Sequence, residues 1–135
     1  MQDNGPNPYV ANIEEQTLRN ENFRTTAWTG TYLQATLMTI QPGEDIGLEV
    51  HEGHDQFLRI EQGTAKVVMG PSEAELESWG ATNESAIFVP SGMWHNVINT
   101  GETPLKLYSI YGPPDHAHGT VHVTKADALA DPNEQ

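Results

Sequence analysis

Short runs of alternating apolar and polar residues, punctuated by glycine and proline, make up most of this chain. Side chains alternate faces along a strand, so each run predicts a half-buried strand. Thr31 to Ile40 is rich in strand formers, with Leu33, Ala35 and Leu37 set against Gln34 and Thr36, and Pro42-Gly43 ends it. Further strands are expected at Glu49 to His51, Gln56 to Ile60, Thr64 to Met69, Ser85 to Val89, Trp94 to Asn99 and Leu105 to Tyr111. Thr17 to Thr29, polar with spaced Phe23, Ala27 and Trp28, also reads as short strands. Glu73 to Glu84 reads as an acidic loop or loose hairpin. Pro, Gly, Asn and Asp dominate residues 1–8, which predicts a flexible tail. Thr124 to Ala130 predicts a short helical turn, with Thr124 as N-cap and Asp127 as its acidic N3 partner. Many short strands with Gly/Pro breaks give an all-β barrel or double-sheet jelly roll over residues 9–124. A short helix and tail over 125–135 completes it.

A chain of 135 residues suits one such domain. No apolar run is long enough to span a bilayer. The N-terminus has neither a basic region nor an apolar core, so a cytoplasmic protein is expected. There is no cysteine, which removes disulfides and thiolate chemistry. The net charge of -13 repels polyanions and argues against nucleic acid or an anionic membrane as partner. The basic residues Arg19, Arg24, Arg59, Lys66, Lys106 and Lys125 stand singly, so no cluster offers itself to a substrate phosphate.

Candidate chemistry lies in two stretches. Glu49 and His51 are two apart, with Leu48 and Val50 between and beside them, so both would face one side of a strand. Downstream, Pro90-Ser91-Gly92 makes a turn and sends His95, Val97 and Asn99 to one face of another strand. These stretches resemble the two motifs of the cupin superfamily. In the second, Pro90, Gly92, His95 and Asn99 match, while Glu84 stands where the leading glycine is usual. In the first, Gly43 and Gly63 fit. Spacing places the family's Glu at Gln56, its second His at His51 and its first His at Glu49. A competing set uses His51 and His54, which needs a bulge or turn at Gly53.

The resemblance implies a single cupin jelly-roll barrel and a divalent metal inside it, held by Glu49, His51, Gln56 and His95. Nitrogen and oxygen donors without sulfur suit Mn, Fe, Zn, Ni or Co. His54 is a candidate acid or base, and Trp94, Tyr108 and Tyr111 are candidate pocket residues. His116, His118 and His122 are expected mainly at the surface, because Pro and Gly beside them indicate irregular backbone. The resemblance further implies a small metal-dependent enzyme of isomerase, epimerase or dioxygenase type. Compact members are often labelled mannose-6-phosphate isomerase-like. A small neutral or mono-anionic oxygenated substrate fits the scattered basic residues better. A non-catalytic module binding a metal or sugar is the alternative, and a homodimer is the assembly that the resemblance implies.

Overall fold

The computed structural model describes residues 2–134. Nine strands follow in chain order: β1 (Arg24–Thr29), β2 (Gln34–Ile40), β3 (Asp55–Gln62), β4 (Ala65–Gly70), β5 (Glu77–Ala81), β6 (Ala86–Val89), β7 (Trp94–Asn99), β8 (Leu105–Gly112) and β9 (Val121–His122). They form two antiparallel sheets, one ordered β6-β3-β8-β2-β1-β9 and the other β5-β4-β7. Residues of both sheets share one apolar core, among them Leu58, Ile60, Leu105, Leu107, Val67 and Val97. This is a two-sheet jelly-roll sandwich.

Register decides which side chains face inward. Residues directly opposite in an antiparallel pair share a face. Gln34, Thr36, Met38 and Ile40 of β2 lie opposite Tyr111, Ser109, Leu107 and Leu105 of β8. Gln56, Leu58 and Ile60 of β3 lie opposite Tyr111, Ser109 and Leu107 in turn. The interior is therefore apolar at one end and polar at the other. The expected face of Leu33, Ala35 and Leu37 is the outer one. Leu37 is nevertheless buried, on the side that helix α1 (Ile13–Arg19) contacts.

Helix α1 replaces part of the strand expected from Thr17 onward. Asn12 caps it by accepting from the Glu15 N–H, and Thr17 is its buried residue. Residues 3–7, expected as a tail, are tied to β1. Asp3 accepts from the Thr29 N–H and hydroxyl at 2.9 and 2.6 Å, and the Asn4 N–H donates to Ala27. At the other end Thr124 and Asp127 form a capping box for α2 (Lys125–Ala130), followed by a 3-10 turn at Pro132–Glu134. Among the described residues, no helix is long and apolar enough to cross a membrane.

The motif residues that carry no chemistry hold the turns. Gly43, Gly63 and Gly92 have φ of 83°, 109° and 81°, where a Cβ is strained. Glu84, in the place of the second motif's leading glycine, also has a positive φ of 72°. Left-handed backbone costs an L-residue roughly 1 kcal/mol or more. Glu84→Gly is therefore expected to raise stability by about 0.5–1 kcal/mol, read as a higher urea midpoint at unchanged slope. A lower midpoint would show that the Glu84 side chain contributes more than the backbone loses.

Candidate metal centre

The stretch from Gly43 to Glu49 runs antiparallel to β7. The Ile46 N–H donates to Val97, and Glu49 and His95 exchange both backbone hydrogen bonds, at 3.0 and 2.9 Å. That reciprocal pair puts their side chains on one face. Glu49 and His95 thus both point inward, and His51, two residues on, joins them. The expected strand from Glu49 to His51 is reduced to this one bridge.

The three donors converge. Glu49 Oε1 lies 3.1 Å from His51 Nε2 and 3.6 Å from His95 Nε2. His95 is almost wholly buried. Its Nδ1 lies 3.1 Å from the Met93 carbonyl, which fixes the ring with Nδ1–H donating and leaves Nε2 free to accept. That Nε2 has no hydrogen-bond partner among the described residues, and neither has Oε1 of the buried Gln56 on β3, in the other sheet. A buried polar atom left unpaired costs about 1–3 kcal/mol. A cation held by the Glu49 carboxylate and the His51 ring would satisfy the His95 nitrogen. The donor set therefore fits a divalent ion with nitrogen and oxygen preference.

Burial opposes charge on Glu49, but the His51 ring at hydrogen-bond distance and the nearby His95 ring outweigh it and lower its pKa to about 2. His51 is the reverse case. Burial disfavours its charge, yet Glu49 and then Asp115 raise its pKa above the usual histidine value. An imidazole must be neutral to bind a metal, so binding expels the proton that Glu49 holds on His51. Metal affinity is accordingly expected to fall as pH drops through that raised pKa, by up to about tenfold per pH unit. Calorimetry in two buffers of different ionisation enthalpy should show proton release that grows as pH is lowered from about 8 to about 6. Binding that is flat over that range would contradict the assignment of His51.

A second donor set shares His51. His51 Nδ1 lies 3.6 Å from Asp115 Oδ1, and His54 Nε2 lies 3.4 Å from the same oxygen. These three also lie close enough together to hold an ion. His54, the candidate acid or base, faces Asp115, with its ring 4.8 Å from that of His51. Burial lowers the His54 pKa and favours its neutral form.

Tyr111 is buried between the rings of His51, His54 and His116 at 5.9, 5.7 and 5.3 Å. Burial, with Glu49, Asp115 and Glu134 nearby, pushes its phenol above the usual tyrosine range. Trp94 and Tyr108 alternate with His95 and Tyr111 and so stand on the outer faces of β7 and β8. Neither lines the central cavity, and Tyr108 packs beside Phe57. Of the three late histidines, only His118 is exposed; His116 and His122 are buried because Glu134 and Asp131 cover them.

The cavity beside Glu49 and His51 holds about 490 Å³, within the range of small-molecule sites. Its wall also carries Arg24, Asp115, His116, Lys125 and Glu134, none of them in a motif. Gln34 places two of these. Its Oε1 accepts from the Asp115 and His116 N–H groups, and its Nε2 donates to the His116 carbonyl. Only the inward register of β2 could have singled Gln34 out.

Comparison with known proteins follows the same lines. The family model described as a cupin domain matches residues 36–111. The uncharacterized protein YrkC of Bacillus subtilis is 59% identical over 131 residues, covering 96% of this chain and 70% of that one. The uncharacterized protein L612 of Acanthamoeba polyphaga mimivirus is 40% identical over 118 residues, 87% of this chain and 72% of its own. The crystal structure of BH2720 from Bacillus halodurans superposes with a TM-score of 0.96 at 56% identity, covering 97% of this chain and 100% of that one.

Proposed function

The chain belongs to the cupin superfamily, and on that footing we propose that it is a small metal-dependent enzyme acting on a small oxygenated substrate, by isomerase, epimerase or dioxygenase chemistry. The observation that carries this reading is the His95 imidazole, buried, fixed in one tautomer, and unpaired at the nitrogen that faces Glu49 and His51. Glu49, His51, Gln56 and His95 would hold the ion. A bound divalent metal supplies Lewis acidity to substrate oxygens. Four protein donors leave two positions of a six-coordinate ion to the substrate.

The other residues serve proton handling. Tyr111, held neutral by burial, donates but does not accept charge. His54, neutral and facing Asp115, is placed to take a proton that Asp115 then stabilises.

The test is turnover with the metal present and removed. Sugars, small hydroxy and oxo acids and β-dicarbonyls are screened with purified protein whose metal content has been measured. Activity lost on chelation and restored by one metal supports the proposal. Activity that survives chelation would replace it with a metal-free acid–base site built on His54 and Tyr111. Tight metal binding with no turnover would make the protein a metal- or sugar-binding module.

A further inference from the structure

Arg24 stands in the cavity wall with no role assigned to it so far, and it lies outside the residues that match the cupin family model. It sits on the inward face of β1, opposite His122 of β9, and lines the same cavity as Glu49 and His51. Its side chain is 8% exposed. Nη1 lies 3.3 Å from His122 Nδ1 and 3.2 Å from Glu134 Oε1. Nε is buried with no hydrogen-bond partner among the described residues. A guanidinium offers five donors and remains charged at any physiological pH. One edge of this one is engaged, and a donor on the other is unpaired within the cavity wall.

The charges around the cavity say what that donor is suited to. Glu49, Asp115 and Glu134 contribute carboxylates, against Arg24 and Lys125, and Lys125 is engaged by Asp45. A divalent ion at the Glu49 site tips the balance positive or neutral, so one negative charge on a ligand is accommodated. Arginine pairs with carboxylate in a planar, two-bond geometry. We propose that Arg24 is the carboxylate anchor of this pocket, and that the ligand is a small oxygenated mono-carboxylate, of the 2-hydroxy or 2-oxo acid class. Arg24 holds the carboxylate through its Nε edge, while a second ligand oxygen faces the Glu49, His51 and His95 donors. This assignment of ligand class rests on the metal reading above; the role of Arg24 itself is testable without it.

The experiment follows the Arg24 Nε–H resonance by nitrogen-edited NMR in the full chain, first zinc-loaded and then metal-free. Glycolate and pyruvate are the probes, and glycolamide is the uncharged control. Glycolate is expected to move that resonance and glycolamide to leave it in place. Arg24→Lys is expected to weaken glycolate binding by about tenfold or more while zinc content stays unchanged. Should Arg24→Lys fold poorly, Arg24→Gln combined with Glu134→Gln removes both buried charges together and is read in the same way. An Arg24 resonance that neither acid moves, or a folded variant that binds glycolate as tightly as the parent, overturns the proposal. A parent protein that takes up no zinc sinks the metal reading alone. The glycolate titration of the metal-free chain then still decides the role of Arg24.

Discussion

Replacing His95 with alanine is expected to lower divalent-metal affinity by more than about 100-fold, whereas His54→Ala lowers it by less than about tenfold. Loss of a group that merely orients a ligand costs about 10–100-fold. On the proposed reading His95 would be a ligand itself, and no other side chain on its face of β7 can replace it, because Val97 is apolar and the Asn99 amide is bonded to the Ile40 and Thr103 carbonyls. The two variants also separate the two donor sets that share His51. In the first set an ion would sit on the Nε2 side, with Glu49 and His95. In the second it would sit on the Nδ1 side, with His54 and Asp115. Competition against a chelating dye measures both affinities. A larger loss from His54→Ala than from His95→Ala would move the ion to the Asp115 side.

Removal of the Tyr111 ring is expected to cost about 3–5 kcal/mol of unfolding free energy. The ring is fully buried and three imidazoles pack their edges against it, so alanine leaves a void that rigid strands on either side cannot fill. Tyr111→Phe should cost within about 1 kcal/mol, because the hydroxyl has only a 3.4 Å contact with His116 Nε2. Urea unfolding separates the two. If phenylalanine were as damaging as alanine, the hydroxyl rather than the ring would be what the fold requires. If Tyr111→Phe kept stability but lost turnover, the phenol would belong to the chemistry.

The strands were legible because alternation is a local property, and β7 and β8 lie where Val97, Asn99, Leu105 and Leu107 place them. The ligand stretch was legible for the same reason. Glu49 and His51 share a face by spacing alone, the cupin resemblance adds His95, and the structure brings their donor atoms together. What escaped were features set by distant parts of the chain. Helix α1 has only Thr17 buried, so it shows no apolar stripe to betray it; the Asn12-to-Glu15 spacing was the one local signal. His116 and His122 read as surface residues because Glu134 and Asp131, which cover them, come later in the chain. Arg24 meets Glu134 across 110 positions, which no motif encodes. The face of β2 was misassigned for a related reason. The interior is polar near the site, so Gln34 and Thr36 face inward there, against the usual rule that the apolar face is the inner one.

The most direct test is anomalous diffraction from crystals of the parent protein soaked in a cobalt or manganese salt. The account predicts one peak within about 2.0–2.3 Å of a Glu49 carboxylate oxygen and of Nε2 of both His51 and His95, with Gln56 Oε1 as the nearest further protein atom. No peak there, or a peak between His54 and Asp115 instead, would contradict it.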